Sequence, residues 1–278
     1  MKTKQTIPPA RLSKRKSSAY RVYALMVRHA LPMKRDFDLL SDMLYWPLMD
    51  TITWGIASSW LAGSDSTVGS AVLSILIALV IWNVIWRAQS EVSRNLIDEI
   101  WNNNLVNVFS TALTLREWML SVLLQSFLKM FISAGFVSLV ILGLYAVNVY
   151  QIGWWLVPFT VNATLTGWSV GFVAAALVIR YGQKVQTVVW TLPGALFPLS
   201  AVYFPVDQLP VGLRQISQLV PTTYIFESMR SLLFTGTLDL QMLWLSFGLN
   251  AIYIVLALWF FVRMFRKSKE LNLARFSN

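Results

Sequence analysis

The sequence has no cysteine and a single histidine, His29. That excludes a disulfide framework, a thiol nucleophile and a zinc finger. It also excludes an HExxH metal site, which needs two histidines. Charge is scarce too. Asp, Glu, Lys and Arg make up 13% of the chain, against about 25% in soluble domains. No Gly-Lys dipeptide occurs, so the GxxxxGK[ST] loop that cradles nucleotide phosphates is missing. The chain is read as no enzyme, with no metal and no cofactor of its own.

Hydrophobic residues are abundant, at 56% of 278. Six long apolar runs follow a basic N-terminus: Met43–Ala62, Val68–Trp86, Met130–Tyr150, Trp154–Ile179, Val185–Val206 and Leu240–Val262. A span of the hydrocarbon core needs roughly 20 such residues. The third helix should start earlier, near Glu117, which would place Lys129 inside it. Trp and Tyr crowd the run ends, as in interfacial belts. The reading is therefore an all-α integral membrane protein. It has an N-terminal amphipathic interface helix, six transmembrane helices and a helical hairpin that re-enters between the fifth and sixth. The domains are a basic tail at 1–17, the interface helix at 18–38, the transmembrane domain at 39–265 and a second tail at 266–278.

Charge placement sets the orientation. With the N-terminus in the cytosol, twenty of the 23 Lys and Arg fall on the inside and two, Arg214 and Arg230, on the outside. That bias requires an even number of spans. It also explains the formal net charge of +10 without nucleic acid. The expected location is the cytoplasmic (inner) membrane, multi-pass, with both termini cytosolic. Ser18–Arg35 carries Tyr20, Tyr23, Ala24, Val27 and Leu31 at helical spacing, with Arg21, Arg28, Lys34 and Arg35 on other faces. Such a helix suits an anionic leaflet, and membrane lipids are expected partners.

Phe204–Gly236 is too apolar for an ordinary loop and too broken for a span. Pro205, Pro210 and Pro221 cut it into short pieces, since proline removes a donor and clashes with the preceding turn. Val211–Val220 and Thr222–Phe234 read as two short helices that dip and return; a helix lying in the headgroups is the alternative. Glu227 and Arg230, three apart, can pair locally; the pair would either hold an outer gate shut or only make the hairpin soluble enough to sit there. Pro193 and Pro198 should kink the fifth helix. GWSVG at Gly167–Gly171 matches GxxxG, a close-packing motif.

The loop from Glu91 to Glu117 has an apolar stripe of Leu96, Ile97, Ile100, Trp101, Leu105 and Val108 beside Glu91, Asp98 and Glu99. It either docks a partner or packs back on the protein's own helix ends. Asp50 is the one charge in the first run and a functional candidate on that ground. It could pair with Lys129, or meet a cationic or hydroxyl-bearing substrate.

These features together resemble the ABC-2 family of exporter membrane subunits. The resemblance covers about residues 18–265. Its carriers are the element order, the helix after the second run, ALVIRYGQ at Ala176–Gln183, and FPVDQLPVGLRQISQLVPTTYIFESMRSLLFTG with its Phe-Pro, Leu-Pro and Pro-Thr…Glu-x-x-Arg signature. It implies an ATP-driven permease that moves a lipid-linked glycan, polysaccharide or other amphipathic substrate outward. Drug or lipid efflux by the same family, or an ion-driven secondary transporter, are the alternatives. It implies a homodimer or a paralogous pair, docked to two copies of a separate ABC ATPase that binds ATP and Mg. A coupling helix is implied at about 91–113, with Glu91, Arg94, Asp98, Glu99 and Trp101 facing the ATPase. The outer hairpin at about 204–236 would use Pro205, Pro210, Pro221, Glu227 and Arg230. Trp46, Asp50, Trp54, Trp82 and Pro198 would line a pathway.

Overall fold

The structure is a computed structural model and describes residues 14–62 and 66–270. Most of the two terminal tails therefore lies outside the described residues. Those residues form helices α1 (Lys14–Ala30), α2 (Phe37–Leu40), α3 (Trp46–Ala62), α4 (Ser66–Trp101), α5 (Leu105–Ser110), α6 (Leu115–Tyr145), α7 (Leu156–Tyr181), α8 (Val188–Leu199), α9 (Val211–Ser217), α10 (Pro221–Thr235) and α11 (Leu240–Glu270), and no strand. Four of them, α4, α6, α7 and α11, are long and apolar enough to cross a membrane. The architecture is that of an all-α, multi-pass membrane protein.

At 1.5 Å per residue the 36 residues of α4 extend about 54 Å. That exceeds the roughly 30 Å hydrocarbon core, so its polar second half outruns the apolar zone. α4 and α7 form the buried centre; α6 and α11 flank them with most of their surface free. Gly167 and Gly171 are what bring the central pair together. A Cβ at Gly167 would stand 2.6 Å from the Ile85 carbonyl oxygen, and one at Gly171 2.8 Å from that of Gln89. The GxxxG match is a real helix–helix contact. Asn162, Thr166 and Asn250 join α7 to α11: Thr166 donates to Asn250 Oδ1 at 2.8 Å, and Asn250 donates to Asn162.

α6 starts on a capping box. Thr114 Oγ1 accepts from the Glu117 amide, and Glu117 Oε2 accepts from the Thr114 amide at 2.9 Å, satisfying two of the helix's free donors. The same carboxylate holds α1. Arg21 reaches Glu117 at 2.6 Å and Ser18 donates to it at 2.5 Å. Arg28 reaches Glu99 at 2.7 Å. The protein-facing side of α1 is thus Arg21, Val22, Leu25 and Arg28, while Tyr20, Tyr23 and Leu31 stay exposed. Two of the arginines expected on the other faces, Arg21 and Arg28, turn to the protein, because the carboxylates of Glu99 and Glu117, largely removed from water, need cationic partners.

Two further expectations change. α4 does not stop at Trp86 and restart at Glu91; it runs unbroken to Trp101, then turns through Asn103, whose φ is 50°, into α5. The fifth apolar run, expected helical over Val185–Val206, is helical only over Val188–Leu199. Its 12 residues extend about 18 Å. Pro198 deprives the last turn of a donor, and the chain then bends through Ala201, in the left-handed region at φ 49°.

Arg230 holds that bend. Its guanidinium donates to the Ala201 carbonyl at 2.7 Å and the Val202 carbonyl at 3.2 Å. It also pairs with Glu227 at 2.8 Å, and Glu227 accepts from the Val206 amide at 2.9 Å. The two side chains stand in for the backbone partners that a broken helix end loses. α9 and α10 fall where two short helices were expected, with Pro221 as the first residue of α10. α10 is inserted against α11 and α7, burying Ile225, Phe226 and Met229, whereas α9 is largely exposed.

Candidate functional site

A chain of charges lies between the π-helical turn Ser41–Tyr45 and the facing sides of α4 and α6. The wide turn places Asp42 against α4. Arg87 donates to Asp42 Oδ2 at 2.8 Å and to its carbonyl oxygen at 2.5 Å. Arg94 reaches the same carboxylate at 3.2 Å. Glu91 takes Lys129 at 2.7 Å and lies 3.9 Å from Arg87. Arg87, Glu91 and Lys129 are 2%, 2% and 5% exposed, so each charge depends on its partners rather than on water. Asn95 donates to the Glu91 carbonyl at 2.6 Å, and Ser133 to Asn83 Oδ1 at 2.9 Å, which extends the polar seam along α4 and α6.

Next to the seam is a cavity of about 1210 Å3. It runs from the start of α3, past the middle of α4, to the turn after α7. Trp46 and Asp50 of α3 line it, as do Trp82 and Trp86 of α4, Lys129 of α6, and Trp190 of α8. Aromatic pairs hold α8 against its neighbours along one edge. Trp86 lies against Trp190 at 6.3 Å and Trp82 meets Phe197 edge-on at 4.8 Å, and just past α8 Trp54 lies tilted against Tyr203 at 4.1 Å. These separations lie within or close to the favourable range for ring pairs. The Arg94 guanidinium lies 5.4 Å over Trp190, a cation–π contact inside the cavity wall. His29, on the α1 side, is neutral. Burial pushes its imidazole down to about 4, and the charges of Arg28 and Lys129 act in the same direction.

The residues singled out in the sequence divide into three groups. Trp46, Asp50 and Trp82 line the cavity; Trp54 and Pro198 are not among its walls. Glu91, Arg94 and Glu99 turn inward to Lys129, Asp42 and Arg28, so they do not form the outward charged face expected of them. The reason is their pairing: Glu91 and Glu99 are themselves buried, and a buried carboxylate is not parted from its cation without a cost of several kcal/mol. Trp101 is 52% exposed, and its indole N–H donates to Gln186 at 2.9 Å. Of the apolar stripe, Leu96, Ile97, Ile100 and Leu105 pack back on the protein's own core with Leu25, Trp118 and Phe261, and Val108 is buried too.

Asp42, Arg87 and Trp190 were not among the sequence candidates. Asp42 stands one residue before an apolar run and Arg87 one residue after another, positions that read as loop or interface. The available signal was that one acidic and one basic residue flank consecutive runs on the same expected side.

Compared with models of known protein families and with characterised proteins, the sequence matches none.

Proposed function

We propose that the chain is the membrane-spanning permease subunit of an ATP-driven exporter of the ABC-2 type, moving an amphipathic substrate outward. The observation that carries this reading is the cavity: a polar, aromatic-walled space between helices of a membrane protein, open to several elements that could shift relative to one another. The element order supports it, with an interface helix first, a broken α8 and a short helical pair, α9 and α10, before the final span. In this reading α3, and α8 together with the chain that flanks it from Val185 to Val206, complete six crossings, both termini are cytosolic, and α9 and α10 re-enter from the outside. ATP and Mg belong to a separate ATPase, two copies of which dock on two copies of this chain, or on this chain and a paralogue. The docking surface is redrawn from the expected one. Glu91, Arg94, Asp98 and Glu99 drop out of it. Trp101 and the exposed residues of the turn and α5, Asn102 and Val106 among them, are what a partner would touch. A rigid push there reaches the cavity through α4, which is continuous from tip to wall.

Purification of the tagged protein in mild detergent from its own host tests the reading. An ABC ATPase in stoichiometric amount is expected, and Val106→Asp is expected to lose it while remaining monodisperse. Intact protein recovered under several mild conditions with no ATPase would overturn the proposal and favour an ion-driven carrier.

Topology has its own test, helped by the cysteine-free background. Gln208→Cys, exposed beside the hairpin, is expected to react with an impermeant maleimide added outside. Asn102→Cys, exposed at the tip, should react only after the cytosolic face is opened. The opposite pattern would overturn the six-span arrangement.

A further inference from the structure

Asp50 is the single charge of α3, and a charge within a membrane-embedded helix is costly unless it has a partner or faces a cavity. The nearest internal explanation is a pair with Lys129, the one cation inside an apolar run. The structure gives Lys129 to Glu91 at 2.7 Å. Among the described residues no ion pair or hydrogen bond engages the Asp50 carboxylate, and it opens onto the cavity.

The charges of the whole wall point the same way. Seven carboxylates line the cavity against three cations, Arg28, Arg94 and Lys129, and each of those cations is already committed to Glu99, Asp42 or Glu91. Asp36, Asp38, Asp50 and Asp98 are left without a cationic partner among the described residues. Low-dielectric walls strengthen that excess of negative charge inside the space. Around it stand indoles, whose faces attract cations. Arg94 over Trp190 shows one such face already taken by a cation of the protein's own. Trp46 precedes Asp50 by four residues, one turn away on the same face of α3, and Trp82 of α4 lines the same cavity. A neutral hydroxylated ligand would use the stacking surface but not the uncompensated charge.

We infer that the cavity binds an organic cation, an ammonium, phosphonium or guanidinium group on an apolar body, with Asp50 as its counter-ion and the indoles of Trp46 and Trp82 as its walls. This inference deepens the exporter reading by naming a substrate class. The binding itself needs no ATPase.

Equilibrium binding of radiolabelled tetraphenylphosphonium to the full-length protein in nanodiscs tests it. Saturable binding is expected. Asp50→Asn should weaken it at least tenfold, Asp50→Glu should hold it within about threefold, and Trp46→Ala should weaken it several-fold. Unlabelled tetraphenylphosphonium should compete, whereas triphenylphosphine oxide and a neutral oligosaccharide should not. Unchanged affinity in Asp50→Asn would overturn the inference, as would competition by the oligosaccharide or the absence of saturable binding to the wild type. Size-exclusion profiles of each variant separate lost binding from lost fold, and the Trp46 variant tests the wall independently of the charge. Failure here would leave the copurification result standing, and a missing ATPase would leave this binding result standing.

Discussion

Leucine in place of Gly171 is expected to leave little monodisperse protein, and leucine in place of Gly167 nearly as little. At Gly171 the first added carbon would meet the Gln89 carbonyl oxygen at 2.8 Å and the Val92 Cβ at 2.8 Å. At Gly167 it would meet the Ile85 carbonyl oxygen and the Ala88 Cβ, both at 2.6 Å. In each case one obstacle is backbone, which no change of rotamer removes. The two helices must separate, and α4 and α7 are the centre of the molecule. Overpacking usually costs about 1–3 kcal/mol, with larger values where the site cannot yield; these two positions belong at or beyond the upper end. Alanine at Gly171 already places the offending carbon and should show part of the loss. Gly135 and Gly143, on α6, have nothing within 4 Å of an added Cβ, so leucine there is the matched control. Fluorescence-detected size exclusion after a heating series measures the difference. A Gly171→Leu melting curve equal to that of Gly143→Leu would refute the close α4–α7 contact.

Glu91→Leu should cost about 3–5 kcal/mol, the range for removing one member of a buried ion pair. The surrounding cluster makes the sign of the charge change decisive. Asp42 and Glu91 face Arg87, Arg94 and Lys129, so the cluster carries one excess positive charge. Removing Glu91 leaves three cations around one carboxylate. Removing Lys129 instead leaves two of each sign, and Glu91 keeps Arg87 at 3.9 Å. Lys129→Met is therefore expected to be clearly milder than Glu91→Leu. Adding Lys129→Met to Glu91→Leu returns the cluster to its original net charge and should recover a large part of the stability. A double-mutant cycle on thermal stability measures the coupling. Equal effects of the two single substitutions, or none from Glu91→Leu, would refute the network. The outcome also separates two roles for Glu91. An outward docking contact would cost ATPase binding at full stability; the internal pair costs stability first.

Several parts of the molecule were legible because they depend on local chemistry. The apolar runs mark α4, α6, α7 and α11, since length and hydropathy alone decide whether a helix can cross a bilayer. Pro205, Pro210 and Pro221 mark the breaks around α9 and α10, because proline acts on its own turn. Gly167 and Gly171 were recognisable as a packing pair, although nothing local said which helix would fill the notch. The limits appear where a local signal met a tertiary one. The arginines of α1 read as a cationic face for an anionic leaflet. Yet Glu99 and Glu117, at separations of 71 and 96 residues, draw Arg28 and Arg21 inward. Val185–Val206 read as one span, but Arg230 stabilises a bend at Ala201 by taking its carbonyls.

The sequence by itself determined that this is a helical membrane protein with no cysteine and no P-loop motif. It also determined where its longest helices lie and where its final third is broken. Those properties are sums over neighbouring residues: hydropathy, proline and composition need no distant partner to act. Only the tertiary structure decided what the charges do. Glu91 and Lys129 could each have faced water, lipid or Asp50, and their fate depends on which helices pack together and in what register. The α4–α6 contact joined them to each other. That pairing left Asp50 open to the cavity, with Trp46 and Trp82 in the same walls.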